Sequence, residues 1–161
     1  MRIPMILKGI ILDPVSNMPV LILQQENASR YLPIWIGIFE ANAIALKLDD
    51  VPTPRPMTHD LLYQILDKIN VKVLQVCIND LRDNTFYAQI LVNLTGREIL
   101  VDSRPSDAVA LAVRCGCPIL VESAVLDRAQ SIDINSEGEE TERLRKWLEE
   151  LEPDALGKYK M

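Results

Sequence analysis

The sequence predicts a single compact α+β domain, in which a mixed or antiparallel sheet of short strands packs with three to four helices. Apolar runs of strand length, bounded by turn residues, are interspersed with a few runs whose apolar residues recur at helical spacing. The length of 161 residues fits one domain, and 48% hydrophobic with 25% charged residues is typical of a globular protein. We therefore expect about six to eight short strands.

The first third of the chain predicts a β-hairpin, a third strand and a helix. The hairpin turn falls at residues 13–17 (DPVSN), whose residue types favour turns. Three prolines in residues 51–56 exclude both a helix and a central strand there, so this segment is predicted to be an ordered loop. The predicted strands are 6–12, 19–23 and 31–36, and the predicted helix is 39–48.

The middle of the chain predicts two further helices and four strands. Thr58 is predicted to cap a helix with an apolar stripe from Leu61 to Ile69, and Ser106 is predicted to cap a helix rich in alanine and valine. The polar segment 79–84 is predicted to be a hairpin loop. The predicted strands are 71–78, 85–94, 98–101 and 119–121.

The last thirty residues differ from the rest because they are more acidic. Residues 127–138 are polar and predicted to be irregular, and residues 139–151 predict a charged amphipathic helix that ends before Pro153. This helix either docks through Trp147 and its leucines or is partly mobile. We divide the chain into an α+β unit, 1–130, and an acidic linker with a C-terminal helix, 131–161, within the same domain.

Charge and cysteine content limit the functional classes. The net charge of −6 argues against a simple nucleic-acid binder, which is usually basic. No apolar run reaches the ~18 residues that span a membrane, and the N-terminus lacks a signal-peptide pattern. Three cysteines cannot all pair within one chain, which favours a reducing compartment, and we expect the cytoplasm. Cys115-Gly116-Cys117 resembles half of a metal site, but a helix end at Gly116 explains it better.

Two segments that begin with arginine and proline stand out as candidate sites. Residues 55–60 (RPMTHD) and 104–107 (RPSD) each precede a predicted helix. Helix capping explains the hydroxyl and carboxylate groups of both segments. It does not explain Arg55 and Arg104, because a cation is unfavourable at a helix N-terminus. Each arginine therefore needs an anionic partner, which is either a nearby carboxylate or a phosphate of a ligand.

Other titratable residues near these segments supply candidate chemistry. His59 is the single histidine, the residue type that most often acts as a general acid or base near neutral pH, and Asp60 follows it. Asp102 and Asp107 are close enough in sequence to share a divalent cation, and Glu40 lies at another helix start. Each of these acids also has a structural explanation as a partner of a helix dipole. No P-loop, GxGxxG, HExxH or GxSxG motif is present.

Four blocks of the sequence, in order and spacing, resemble the bifunctional nuclease family, and the likeness extends over residues 5–125. The blocks are 32–41 (LPIWIGIFEA), 55–61 (RPMTHDL), 85–88 (TFYA) and 102–114 (DSRPSDAVALAVR). The resemblance implies a compact α+β domain, usually a homodimer, with DNase and RNase activity. We expect no UvrB/UvrC-type (UVR) helical motif, which many relatives carry, in this chain. The positions carried over as candidates are Glu40, Arg55, His59, Asp60, Asp102, Arg104 and Asp107.

The leading hypothesis is a nuclease that hydrolyses phosphodiester bonds in DNA and RNA with Mg²⁺ or Mn²⁺. The assigned roles are catalysis for His59, Asp60 and Asp107, phosphate binding for Arg55 and Arg104, and metal binding for Asp102, Asp107 and Glu40. The alternative is a non-catalytic homodimeric ligand-binding or regulatory module in which both arginine segments are structural. A third possibility is an enzyme that acts on a small phosphorylated metabolite.

Overall fold

The computed structural model describes residues 1–133 and 140–150, and it confirms the predicted α+β class. Within these residues, one mixed sheet of eight strands packs with five helices. None of these helices is both long enough and apolar enough to cross a membrane. The strands are β1 (Arg2–Leu12), β2 (Pro19–Gln25), β3 (Arg30–Trp35), β4 (Val71–Arg82), β5 (Thr85–Leu94), β6 (Arg97–Ser103), β7 (Ile119–Glu122) and β8 (Ile132–Asp133). The helices are α1 (Ile38–Leu48), α2 (Thr58–Lys68), α3 (Pro105–Cys115), α4 (Ser123–Arg128) and α5 (Glu140–Glu150).

The strand order reveals an internal duplication. The sheet runs β6-β5-β4-β7-β1-β2-β3-β8, so β7 separates two units with the same succession of three antiparallel strands and a helix. One unit is β1-β2-β3-α1 and the other is β4-β5-β6-α3. Strand β1 is antiparallel to β7 whereas β4 is parallel to it. The two units therefore run in opposite directions, as an approximate two-fold axis perpendicular to the sheet requires.

The main core lies between one face of the sheet and the helices. Alternate residues of each strand point to opposite faces, so Leu21 and Leu23 of β2 and Ala88 and Ile90 of β5 contribute to this core together with α1 and α3. Helix α3 supplies five buried residues in its alanine- and valine-rich stretch, 108–112, and packs against α1, α2, β4 and β5. Small side chains allow this close approach of helix to sheet.

The opposite face of β2 and β3 is covered by the C-terminal helix. Leu144 and Leu148 of α5 are buried, and Leu148 is 0% exposed. They form a second cluster with Val20, Ile22, Tyr31 and Trp35, and the partly buried Trp147 packs against it. The amphipathic stripe predicted from the sequence therefore docks on the sheet.

The predicted helix caps were wrong in detail. Helix α2 is capped by Met57 and begins at Thr58, and α3 is capped by Arg104 and begins at Pro105. Ser106 lies inside the first turn of α3 and is fully buried. In α2 the carboxylate of Asp60 accepts the backbone N–H of Met57 at 2.9 Å, so a carboxylate satisfies the helix start instead of the threonine hydroxyl.

The predicted hairpin loop at 79–84 was also too long. Strand β4 continues to Arg82, and the turn consists of Asp83 and Asn84, which both have positive φ angles, 47° and 60°. Two successive positive φ values match a two-residue type I′ turn. Helix α4 was not predicted, and it shortens the irregular segment expected at 127–138, of which 134–139 lie outside the described residues.

Candidate functional site

The helices α1, α2 and α3 begin around one open cleft of about 740 Å³. Glu40 is the third residue of α1, His59 the second of α2 and Asp107 the third of α3, and all three line this cleft. Because the N–H groups of a first helical turn carry partial positive charge, three helix starts together favour an anion. Glu40 and Asp107 occupy equivalent positions of the duplicated units, so the cleft lies near the approximate two-fold axis.

A single guanidinium connects the two equivalent acids. Arg104 Nη2 donates to Glu40 Oε1 at 2.9 Å, and Arg104 Nε donates to Asp107 Oδ2 at 2.7 Å. The other oxygen of Asp107, Oδ1, lies 2.8 Å from His59 Nε2. The hydrogen bond from His59 lowers the pKa of Asp107; burial opposes this effect, and the bond and charge of Arg104 add to the lowering. The ionised carboxylate of Asp107 is thus held between two cationic or donor groups.

The bond to Asp107 also fixes the tautomer of His59. An ionised carboxylate only accepts hydrogen bonds, so the proton of the neutral imidazole must be on Nε2. Nδ1 then carries a free lone pair, and it makes no hydrogen bond within the described residues. A histidine oriented by a carboxylate, with its second nitrogen free, is the arrangement expected of a general base.

Besides His59 Nδ1, a second polar atom at the cleft makes no hydrogen bond among the described residues, and it belongs to Glu40. Its Oε1 accepts from Arg104, whereas Oε2 is buried and has no hydrogen-bond partner among the described residues. A buried carboxylate oxygen without a donor is unfavourable by about 1–3 kcal/mol. A hydrogen-bond donor placed beside Glu40 Oε2 would remove this cost.

The remainder of the cleft wall is mainly apolar. Side chains of α1, α2, β5, β6 and α3 form it, among them Phe39, Leu62, Leu66 and Val101. Phe39 is 86% exposed although it directly precedes Glu40. This wall could not be predicted from the sequence, because its residues come from five elements. A ligand that fits has an anionic or polar group at the Arg104 end and an apolar or aromatic body.

Asp60, a predicted catalytic residue, does not line this cleft. Its Oδ2 accepts from Met57 N, and its Oδ1 accepts from Arg114 Nε at 2.7 Å. The bond from Met57 lowers the pKa of Asp60; burial opposes it, and Arg114 adds to the lowering. Arg114 is only 4% exposed and also donates to the carbonyls of Ala110 and Ala43. Asp60 and Arg114 therefore connect α1, α2 and α3. The sequence feature that indicates this structural role is an arginine on a helix made mostly of small apolar residues.

Arg55 and Asp102 are not joined to the network either. Arg55 is exposed in a separate depression with Lys47, and among the described residues it forms no ion pair.

Asp102 borders the cleft, but its side chain is directed away from the helices. In the register of β5 and β6, Asp102 lies opposite Gln89, whereas its neighbour Ser103 lies opposite the buried Ala88. By the alternation of a strand, the Asp102 side chain points to the sheet face opposite the helices. The structure thus brings together Glu40, His59, Arg104 and Asp107, and leaves Arg55, Asp60 and Asp102 outside.

The carboxylates of the cleft do not fit the predicted metal site. In the part of the chain that the structure describes, no three His, Cys, Asp or Glu side chains converge to hold a metal ion. Three of the four carboxylate oxygens of Glu40 and Asp107 already accept hydrogen bonds from Arg104 or His59. A divalent cation normally requires several free oxygen ligands, which this arrangement offers only if Arg104 moves.

The sequence of this chain is similar to a known protein family and to several known proteins. A family model described as "Bifunctional nuclease domain" matches residues 21–135. An uncharacterized protein of Mycobacterium tuberculosis strain H37Rv is 41% identical over 155 residues, which cover 91% of this chain and 93% of the relative. Bifunctional nuclease 2 of Oryza sativa subsp. japonica is 29% identical over 66% of this chain but only 34% of the relative. Bifunctional nuclease 1 of Arabidopsis thaliana is 27% identical over 64% of this chain and 33% of the relative.

Proposed function

Because this chain belongs to the bifunctional nuclease domain family, we propose that its cleft hydrolyses phosphodiester bonds in DNA and RNA. The observation that carries the proposal is the convergence of Glu40, His59, Arg104 and Asp107 at three helix N-termini. The plant relatives are named nucleases, and the match covers about a third of their length. The activity is therefore proposed for this chain from its own geometry together with its family.

We assign phosphate binding to Arg104 and to the first turns of α1 and α3. With a neutral His59, the side chains of Arg104, Glu40 and Asp107 sum to one negative charge, which disfavours a phosphate. The partial positive charges of the helix starts offset part of this repulsion.

We assign proton transfer to His59. Nδ1 of His59 takes a proton from the attacking water, while Asp107 holds the ring and stabilises the imidazolium through its bond to Nε2. The departing oxygen, which would otherwise leave as an alkoxide, takes a proton from a water molecule. Arg104 stabilises the negative charge that develops on the phosphorane-like transition state.

The participation of Mg²⁺ or Mn²⁺ stays a prediction from the sequence, and the mechanism above has no step that uses it. Its test is to measure cleavage after treatment with a chelator and after stepwise addition of each cation. Activity that persists in the chelator would oppose the metal-assisted version. Activity restored only by a divalent cation would show that the ligand set forms after Arg104 releases a carboxylate.

The proposed activity is tested with single-stranded DNA and RNA and with identically purified variants. We expect His59→Ala and Asp107→Asn to reduce the cleavage rate by about 10²–10⁴-fold, because each removes the oriented base. Asp102→Asn is the matched control, since this acid lies outside the network, and its rate should stay within about twofold of wild type. Equal rates in all samples would indicate a contaminating nuclease and would contradict the proposed site.

A homodimer is the second part of the proposal, and the apolar rim supports it. The rim comprises eight exposed residues of α1, of α2 with its C-cap, and of the loop between these helices: Ile38, Phe39, Val51, Met57, Leu61, Leu62, Ile65 and Ile69. Helix α2 has no buried residue. A standard interface takes about 800 Å² from each partner, and a cluster of exposed apolar side chains is the kind of surface that marks one. A second copy suits this surface because an isologous contact pairs the same patch with itself.

The dimer is tested by sedimentation of wild type and of Ile65→Lys, which places a charge in the rim. We expect wild type to sediment as a dimer and the variant as a monomer with an unchanged far-UV spectrum. Gln64→Lys, one residue away but outside the rim, is the control and should stay dimeric. A monomeric wild type at micromolar concentration would contradict this part of the proposal.

The alternative function is a non-catalytic homodimeric ligand-binding module. The observation that favours it is that Arg104 already has two carboxylate partners, as a structural arginine would. The discriminating measurement is binding without turnover. If single-stranded oligonucleotides or a phosphorylated metabolite stabilise the protein against heat but remain intact during long incubation, this alternative replaces the nuclease.

A further inference from the structure

A second depression, separate from the cleft and rich in cations, lies beside the start of α2. Its volume of about 390 Å³ is within the range of about 300–1,000 Å³ that is typical of ligand pockets. Three cationic side chains and one carboxylate border this Arg55 depression, namely Lys47, Arg55, Arg114 and Asp60, so their net charge is +2. The whole chain has a net charge of −6. The depression is therefore a local positive region, which attracts anions.

The two exposed cations of the Arg55 depression have little charge compensation. Arg55 forms no ion pair among the described residues. The ammonium of Lys47 lies 3.9 Å from Asp50 Oδ1, and these side chains are 43% and 87% exposed. An ion pair that is so long and so exposed contributes little. Both cations can therefore bind an anion without breaking a strong interaction.

The acid of the depression is already bound to other groups. Asp60 accepts a hydrogen bond from Arg114 at one oxygen and from the backbone N–H of Met57 at the other. Arg114 is only 4% exposed, so this pair forms the base of the depression. Asp60 is thus held away from Arg55 by contacts that the fold itself requires.

The loop before α2 restricts the backbone of Arg55. Proline on both sides, Pro54 and Pro56, limits the conformations of this segment, and a residue before proline is confined to the extended region. The hydroxyl of Thr53 also donates to the carbonyl of Arg55 at 2.8 Å. A residue whose backbone is already ordered loses less conformational entropy when it binds a ligand.

The Arg55 depression is continuous with the cleft. A smaller depression of about 260 Å³ lies between the two, and Met57 borders both this depression and the cleft. The residues that border both the smaller depression and the Arg55 depression are Lys47, Thr53, Asp60 and Arg114. A groove therefore leads from the cleft, past Met57, to Arg55.

We propose that Lys47 and Arg55 bind a second phosphate of a single-stranded nucleic acid, whose scissile phosphate lies at Arg104. Proteins that bind single strands combine a cationic groove for the backbone with aromatic side chains on which bases stack. Phe39 at the cleft and Tyr63 in the Arg55 depression are aromatic residues in suitable places. The inference rests on the proposed function, because it gives the substrate of the cleft a second contact.

The test is fluorescence anisotropy of labelled single-stranded oligonucleotides of increasing length at several salt concentrations. It uses His59→Ala as the background, so that the strands stay intact. We expect Arg55→Gln and Lys47→Gln each to weaken binding of a long strand by up to about fivefold. Each change should also reduce the slope of log K against log salt by about 0.7, the value for one phosphate contact of a single strand. A dinucleotide, which cannot extend beyond the cleft, should bind these variants as it binds the background protein.

Arg97→Gln is the matched control. Arg97 is also an exposed arginine without an ion pair among the described residues, and it borders neither the cleft nor the groove. Its replacement should change the affinity for a long strand by less than about twofold.

A gain of affinity provides a test that loss of folding cannot imitate. Gln64 is exposed on α2 and borders the Arg55 depression. Gln64→Lys adds a cation there, so it should tighten binding of a long strand by roughly threefold to fivefold and steepen the salt slope by about 0.7. Unchanged binding of long strands by Gln64→Lys, Arg55→Gln and Lys47→Gln would overturn the inference.

The outcomes separate this inference from the proposed function. If wild type cleaves nucleic acid but the groove variants bind strands of every length equally well, the second contact is wrong and the nuclease stands. If wild type cleaves nothing but Arg55→Gln still weakens binding of long strands, the nuclease is wrong and the phosphate contact stands. If inorganic phosphate or a nucleoside monophosphate binds through Arg55 as tightly as a long strand does, the depression holds a small phosphorylated ligand and the inference is overturned.

Discussion

Replacing Asp107 with asparagine tests the charge network of the cleft. Asp107→Asn keeps the size and shape of the side chain but removes the negative charge that lies between His59 and Arg104. Both contacts are short, 2.8 Å to His59 Nε2 and 2.7 Å to Arg104 Nε. The variant also leaves Arg104 with Glu40 as its single carboxylate partner among these residues. We expect it to be less stable than wild type at neutral pH.

The magnitude follows from the number of charged hydrogen bonds and from their exposure. A hydrogen bond to a charged group contributes about 1.5–3 kcal/mol, so two such bonds have an upper limit of roughly 3–6 kcal/mol. The side chains of Asp107 and Arg104 are 29% and 37% exposed, and solvent screening reduces the contribution of such pairs. A loss of about 2–3 kcal/mol in the free energy of unfolding at pH 7 is therefore expected.

The stability difference between wild type and Asp107→Asn is expected to depend on pH. The pKa of Asp107 is lower in the folded state than in the unfolded state, first because of the bond to His59. Its contribution to stability is complete above the unfolded pKa, near 3.9, and is lost as the pH falls through the folded pKa. The difference between wild type and Asp107→Asn should therefore be constant above about pH 5 and should shrink toward pH 3.

The assay is urea unfolding, followed by tryptophan fluorescence, at several pH values between 3 and 7. Asp102→Asn is the control, because it removes a nearby exposed carboxylate that forms no ion pair among the described residues, and it should change the unfolding free energy by less than about 0.5 kcal/mol. Two results would refute the reasoning: an Asp107→Asn variant as stable as wild type at pH 7, or a loss of the same size at pH 3 and pH 7.

Three other substitutions test the fold. Asp13→Ala should lower the unfolding free energy by about 2–4 kcal/mol at pH 7, because this buried carboxylate accepts from Trp35 Nε1, Val15 N and Ser16 Oγ. Burial raises its pKa, but these bonds outweigh burial, so the loss measured by urea unfolding should shrink below about pH 4. Leu148→Ala should cost about 2–5 kcal/mol in thermal unfolding, whereas the exposed Glu149→Ala should cost little. Asn84→Ala should cost about 1 kcal/mol in urea unfolding, because alanine tolerates a φ of +60° poorly.

Each of these predictions has a contradicting result. An Asp13→Ala variant with wild-type stability would mean that the buried charge costs as much as its bonds contribute. Equal melting temperatures for Leu148→Ala and Glu149→Ala would mean that α5 does not depend on its buried leucine. A more stable Asn84→Ala would show that the turn adopts another conformation in solution.

The sequence predicted the fold class because strand-length apolar runs and helical stripes are local patterns. It missed the duplication because the two units share few residue types and are related by strand order. The two arginine-proline segments precede α2 and α3. Strand pairing instead makes α1 and α3 equivalent, and this relation depends on long-range register, which local patterns do not encode.

For the candidate site, the sequence identified the acids and bases but could not predict their partners. Glu40, His59, Arg104 and Asp107 meet because three helices begin at one cleft. Asp102 precedes Arg104 by two residues, yet the alternation of β6 directs it to the other face. Asp60 follows His59 directly, but on a helix adjacent residues point about 100° apart, and Asp60 contacts Arg114 instead.

The central position of β7 has a consequence for synthesis of the chain. Strand β7 pairs with β1 through contacts such as Arg2 with Glu122, which are among the most distant in sequence. A ribosome therefore releases both three-stranded units before the strand that joins them. Until residues 119–122 emerge, the long inner edges of β1 and β4 have unpaired N–H and C=O groups, which can pair with other nascent chains. We expect that truncation before Ile119 yields aggregation rather than a smaller folded domain. In the full chain, aggregation is most favoured while the chain is on the ribosome and residues 119–122 have not yet emerged.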